Sequence, residues 1–183
     1  MNEKIEITKD NIDFYVTVLR SYLNRFRRCR NRERTLRERK DMIISYIKNG
    51  QLLGPQLSGM PTASGKKSDP TVKLTMELDD VECQIGTQIE RSVDVMLEIS
   101  EMIEYLPQDS DERNVLEAKY IDCQNQYRIM RDLSISKSTL YRYARSGLEQ
   151  LLEYEKILLI IDAYADEIER GDEQLDREAA EEE

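Results

Sequence analysis

The stretch NQYRIMRDLSISKSTLYRYARSGLEQL, Asn125 to Leu151, decides how the rest of the chain is read. Its first half sets Tyr127, Met130 and Leu133 at three-residue spacing, with Arg128, Arg131 and Asp132 between them. That pattern predicts a short helix with one buried edge and its charges outward. Ser136, a good N-cap, then opens a second helix with Leu140, Ala144, Leu148 and Leu151 as its inward stripe. Only Ser134 and Ile135 make the turn, and Ile135 supplies the apolar plug that docks both helices. The outward stripe of the second helix carries Lys137, Ser138, Tyr141, Arg142 and Arg145. These donors can reach phosphate oxygens or base edges when such a helix lies in a major groove. A solvated Arg-rich face on an ordinary helix pair reads the same way, so context has to decide. Upstream, DERNVLEAKYID offers the third helix needed to bury the pair, with Val115, Leu116, Lys119 and Tyr120.

The segment DERNVLEAKYIDCQNQYRIMRDLSISKSTLYRYARSGLEQL resembles the C-terminal region of phage transcriptional regulators of the ArpU and RinA type, which themselves resemble region 4 of bacterial sigma factors. An acidic-Arg start and a Tyr-Ile-acidic end bracket the first helix, here Asp111, Glu112, Arg113 and Tyr120, Ile121, Asp122. A Ser-basic-Ser-Thr-aliphatic-Tyr-Arg run follows without gaps as Ser136, Lys137, Ser138, Thr139, Leu140, Tyr141 and Arg142. The family pattern has Gly where Cys123 stands, Trp where Gln126 stands, Ala where Met130 stands and Gly where Ser134 stands. Ser58 to Thr71, SGMPTASGKKSDPT, is similar to a linker common in the same group. The resemblance implies a DNA-binding transcription regulator, phage-encoded and acting on late genes in the cytoplasm of a bacterial host. It implies double-stranded DNA as partner. Ser136, Lys137, Ser138, Thr139, Tyr141, Arg142 and Arg145 would be the DNA-binding residues, flanked by Arg128 and Arg131.

Composition restricts the class. The chain has 183 residues, 39% hydrophobic and 35% charged, with no Trp and only two Phe, which suits long half-exposed helices. An all-α architecture follows. Cys29, Cys83 and Cys123 are widely spaced and no histidine accompanies them, so neither a disulfide framework nor a zinc site is expected, and no cofactor is. MNEKIEITKDNIDF has no apolar core of signal-peptide type, and no apolar run approaches the ~20 residues of a membrane span. The net charge of −10 hides segregation, since Arg20 to Lys40 holds ten bases against two acids and Asp162 to Glu183 eleven acids against two bases. Local charge, rather than the sum, governs nucleic-acid binding.

In chain order, Thr8 can cap a helix with apolar positions Ile12, Tyr15, Leu19, Tyr22, Phe26, Cys29, Leu36, Ile43 and Ile47, running to Lys48. Its basic middle is either a solvated face laced with pairs such as Glu33 with Arg37, or a phosphate-tracking surface, or the docking face for an acidic partner. Asn49 to Asp69, with Pro70 behind it, concentrates Gly and Pro and reads as a loop. SGKKS within it is not a phosphate loop, because position 60 is Met and position 67 is Lys. From Thr71 to Leu106, Leu74, Leu78, Val81, Ile85, Ile89, Val93, Met96, Ile99 and Ile103 predict a coiled-coil seam carrying Cys83 on its apolar side. Two helices of matching length joined by a long loop predict an antiparallel hairpin over 1–107, with intermolecular pairing in a dimer as the alternative. Pro107 stops it, and Asp109 with Glu112 would cap the next helix. The helix-turn-helix domain is expected over 108–152. A C-terminal helix over 153–183 would follow without a break before Gly171, buried around Ile157 to Ile161 and fraying in its acidic tail.

No poised acid, base, nucleophile or metal set supports catalysis. Ser134 and Lys137 satisfy S-x-x-K, but both have structural roles in the turn. Three function classes remain. The first is a sequence-specific DNA-binding regulator whose hairpin holds RNA polymerase or a second copy of the chain as a homodimer. The others are a DNA-packaging protein like a small terminase subunit, and a protein-interaction module that binds no DNA.

Overall fold

A computed structural model describes residues 11–52 and 70–181, and every regular element among them is helical. The order is α1 (Ile12–Leu23), α2 (Arg25–Leu52), α3 (Pro70–Ile103), α4 (Asp111–Leu116), α5 (Gln126–Asp132), α6 (Lys137–Leu152) and α7 (Glu155–Glu181), with a π-helical turn, Glu117–Ile121, extending α4. The architecture is the one anticipated: a long antiparallel hairpin, a helix-turn-helix and a C-terminal helix. The first long helix is interrupted once, at Asn24, whose backbone and side-chain amides both turn back to the Arg20 carbonyl. The expected cap at Thr8 and most of the Gly/Pro loop, 53–69, lie outside the described residues.

The chain divides into two compact units, Arg28–Asp94 on the one hand and Met1–Arg27 with Val95–Glu183 on the other. The expected boundary at Pro107 therefore falls inside the second of these. In the Arg28–Asp94 unit, the run of partners shows that α2 and α3 are antiparallel. Gln88 Nε2 donates to the Cys29 carbonyl, Lys40 pairs with Glu82 at 2.8 Å and Arg39 with Glu77 at 2.6 Å.

The inward positions of α3 differ from the stripe read in the sequence. They advance strictly by fours and threes through Val81, Ile85, Gln88, Ser92, Val95, Ile99 and Met102, and Ile85 alone is not fully buried. Ile89 and Val93, expected inside, are exposed, and Cys83 is exposed as well. A heptad seam keeps its 3.5-residue period even where the residue due is polar. Following the nearest aliphatic side chain instead moved the predicted stripe off the seam by one position. Gln88 is tolerated there because α2 offers it a carbonyl.

The other unit has α6 at its centre, packed against α1, α4, α5 and α7. The predicted inward stripe of α6, Leu140, Ala144, Leu148 and Leu151, is buried, as are Val115, Leu116 and Tyr120 of the preceding helix. On α1 the buried set includes Val16, Val18 and Leu23 besides the predicted Leu19 and Tyr22, because this helix meets both α6 and α7 and must bury more than one stripe. Ser110, not Asp109, caps α4. Its Oγ accepts from the Arg113 amide while its own amide donates to the Pro107 carbonyl, so the turn after the proline delivers the cap one residue late.

α6 and α7 are separate helices, contrary to the continuous one expected. The amides of Glu153 and Tyr154 tighten onto the Gln150 and Leu151 carbonyls, and the Tyr154 hydroxyl donates to the Tyr105 carbonyl at 2.9 Å. The kink lets α7 fold back on α1, where Tyr15 donates to Asp162 and Tyr22 meets Tyr164 edge to face. Ile157, Leu158, Ile161 and Ala165 are buried and Leu159 faces outward. The backbone continues as helix through Gly171 to Glu181, so the acidic segment is helical over that length.

Gly147 lets α4 and α6 approach closely, since a Cβ there would lie 3.1 Å from Leu116 Cδ1 and 3.2 Å from Glu112 Cβ. Gly147→Val should therefore lower stability by about 1–3 kcal/mol through overpacking. Urea titration reads this as an earlier midpoint with an unchanged slope. An unchanged midpoint would mean that the two helices part at no cost.

Candidate nucleic-acid interface

The helix-turn-helix rests on local hydrogen bonds that its sequence makes explicit. Asn125 caps α5 by accepting from the Arg128 amide at 2.9 Å. α5 ends in a Schellman motif, in which the Ile135 amide returns to the Met130 carbonyl at 3.0 Å and the Ser134 amide to Arg131. That motif needs a left-handed residue after the helix, and Ser134 supplies it with φ 55°. Ser136 then caps α6, accepting from the Thr139 amide at 3.2 Å, with the Ser138 and Thr139 hydroxyls each 2.9 Å from its Oγ. The only other non-glycine residue with positive φ among those described is Cys123, φ 53°, where the π-helical turn ends and the Gln124 amide returns to Ala118. Both left-handed positions are ones where the resembling pattern has glycine.

The buried edge of α5 is not the one expected. Ile129 is its one fully buried residue, Met130 is half-buried, and Tyr127 and Leu133 are exposed, Tyr127 by 81%. A helix of two turns laid across α6 has room for one inward side chain, and the three-residue spacing was too short a run to show which.

The exposed face of α6 brings together most of the predicted site. Lys137, Ser138, Tyr141, Arg142 and Arg145 are exposed and Thr139 is half-buried. The Lys137 ammonium lies 6.0 Å from the centre of the Tyr141 ring, and the Tyr141 hydroxyl donates to Gln126 Oε1 at 3.1 Å, bridging α6 to α5. Gln126, which stands where the resembling pattern has Trp, thus serves as a polar brace. Arg142 lies beside the Tyr143 ring.

The basic residues are not equally available. Arg145 is clamped by Asp13 of α1 and by Glu149, each at 2.7 Å, and these partners hold its proton more firmly than usual, the Glu149 hydrogen bond foremost. Arg128 and Arg131 both turn to Asp132, at 3.4 and 3.1 Å. Lys137 and Arg142 form no ion pair among the described residues. In the basic stretch of α2, the expected Glu33–Arg37 pair is present at 2.7 Å, Arg34 faces Glu38, and Arg39 and Lys40 are taken by α3. Much of that stretch is a solvated, paired face.

Two cations escaped the sequence reading of the site. Arg27 and Lys119 line a pocket with Gln124, Gln126 and Tyr141 beside the exposed face of α6. They are 92 residues apart, and only the fold brings the Arg27 guanidinium to the Lys119 carbonyl. No spacing rule could have found the pair.

Glycine at a left-handed position avoids a steric cost of roughly 1–2 kcal/mol but loses more chain entropy on folding. Ser134→Gly should therefore stabilise the fold by about 0.5–1 kcal/mol. Ser134→Val should destabilise it, and thermal melts of the two variants on either side of the parent are the check.

No curated protein and no solved structure matches the chain. The model of one family, described as Protein of unknown function (DUF1492), matches residues 58–152, ending at the last residue of α6 and leaving out α1, α2 and α7. With more than half of its length matched, the chain belongs to the DUF1492 family.

Proposed function

We propose that this protein is a sequence-specific double-stranded DNA-binding regulator of transcription, with α6 as the helix that enters the major groove. The observation that carries the reading is the face of α6. A helix anchored along one side by four buried aliphatic residues presents Lys137, Ser138, Tyr141 and Arg142 on the other, two of them cations without a carboxylate partner among the described residues. Phosphate contacts set register and base contacts set sequence preference. Lys137, in the first turn of α6, suits a phosphate, whereas Arg142, one turn beyond Ser138, suits the paired acceptors of a guanine edge. Arg145 can take a phosphate only by leaving Asp13 and Glu149. The resemblance to phage regulators of the ArpU and RinA type adds the setting, late genes in a bacterial host, with RNA polymerase or a second copy of the chain as the partner of the hairpin.

Selection of bound duplexes from a random pool tests the reading directly and should return a defined site. On that site Arg142→Ala should cost about 1–3 kcal/mol and relax base preference at one position. Lys137→Ala should weaken preferred and random duplexes alike and lower the salt slope by about one unit. Failure of the pool to enrich, or folded variants that bind all duplexes as the parent does, would leave a protein-interaction module as the function.

Asp13 gives a separate prediction. Asp13→Asn removes one of the two carboxylates that hold Arg145, so affinity for random duplex at low salt should rise, with a steeper salt dependence. Equal salt slopes for variant and parent would show that Arg145 stays off the DNA.

A further inference from the structure

The pocket beside the exposed face of α6 holds positive charge that no carboxylate among the described residues pairs with. Its volume is about 190 Å³, and Arg27 from α2, Lys119 from the π-helical turn, Gln126 from α5 and Tyr141 from α6 contribute to its wall. Arg27 Nη2 donates to the carbonyls of Lys119 and Gln124, at 3.1 and 3.2 Å. Two neutral acceptors thus fix the guanidinium at the wall and leave its charge uncompensated. Neither Arg27 nor Lys119 forms an ion pair among the described residues. Burial pushes the Lys119 ammonium below its ordinary value, and the charges of Arg20 and Arg27 push the same way. Two cations in the wall of a partly apolar pocket repel one another, and an anion placed between them relieves that repulsion.

Gln124, which also lines the pocket, carries an unsatisfied polar atom. Gln124 gives its Nε2 to Asp122 at 3.4 Å, while its Oε1 is buried without a partner. Buried polar atoms are ordinarily satisfied, so a solvated polar ligand in the pocket, bridged to this oxygen by water, would supply what the chain does not. Tyr141 belongs both to the wall of the pocket and to the exposed face of α6, so a strand tracked by that face passes the mouth.

We infer that this pocket receives one backbone phosphate of the DNA duplex, held by Lys119 and Arg27, so that the start of α2 joins the interface from outside the helix-turn-helix. The inference rests on the DNA-binding reading above. It extends that reading to a phosphate contact made by residues off α5 and α6.

The test uses the full chain and a duplex carrying the selected site. Lys119→Gln should lower affinity for preferred and random duplexes by the same factor and reduce the salt slope by about 0.9 unit, and Lys119→Arg should restore both. Neutralising the phosphates one at a time as methylphosphonates should reveal one position at which the parent loses affinity and Lys119→Gln loses nothing more. If Lys119→Gln does not fold by circular dichroism, protection of Lys119 in the parent from an amine-reactive reagent on adding duplex takes its place. Unchanged slope, no such methylphosphonate position, or a Lys119 that duplex does not protect each overturns the pocket while leaving α6 as the reading helix. Protection by millimolar inorganic phosphate but not by duplex assigns the pocket to a small free anion and overturns the backbone assignment. A parent that enriches no duplex overturns the DNA-binding reading, and the pocket with it.

Discussion

α6 has to bury one side against several helices at once while keeping the other side bare, and the unit built around it depends on that constraint. Leu148 and Leu151 are wholly buried, as is Leu116, while α1 and α7 close on the same helix from elsewhere. Gly147 is the concession that makes the approach of α4 possible. With so much of its circumference committed to packing, α6 cannot roll about its axis without exposing leucine. The orientation of Lys137, Ser138, Tyr141 and Arg142 is thereby set by the core rather than by their own contacts. Rigid presentation of this kind lowers the ordering cost of any later binding event.

The same constraint explains why the turn tolerates strain. A Schellman turn followed directly by a capped helix fixes the angle between α5 and α6 with very few residues, and one of them must be left-handed. Ser134 accepts that conformation although it is not glycine, and Cys123 does the same where the preceding helix ends. The cost of one strained residue is offset because the docking of α5 buries Ile129 and frees the Tyr141 hydroxyl to brace Gln126.

Legibility in the sequence followed the length of the pattern. The inward stripe of α6 spans three turns of a single period, and every residue of it is buried. The helical class, the antiparallel hairpin and the cap at Ser136 were readable for the same reason. The two turns of α5 carry too little period to separate Ile129 from Tyr127. The seam of α3 was long enough, but it runs through Gln88 and Ser92, and a reading by hydropathy steps around polar residues that the heptad requires. The break at Glu153 has no glycine or proline to announce it and arises from the return of α7 onto α1. Least legible was the charge pairing across distant elements, such as Arg145 with Asp13 and Arg27 with the Lys119 carbonyl. Composition shows how many charges a segment holds and nothing of how many are already spent.

That distinction governs how a chain of net charge −10 can present a cationic surface. Exposed pairs contribute little to stability, about 0–1 kcal/mol each, so the pairs along α2 do not explain the fold. Their effect is to remove cations from the field that a polyanion would meet. Where Arg37, Arg39 and Lys40 are matched by carboxylates, the surface is close to neutral despite its arginine count. Where Lys137, Arg142, Lys119 and Arg27 stand without such partners among the described residues, a few side chains concentrate the positive potential beside α6. Acids elsewhere on the chain strengthen the contrast, because they disfavour a polyanion from lying anywhere but there. Acidic composition and a local cationic face are therefore compatible parts of one electrostatic arrangement, in which pairing, and not the count of basic residues in a segment, decides where positive potential survives.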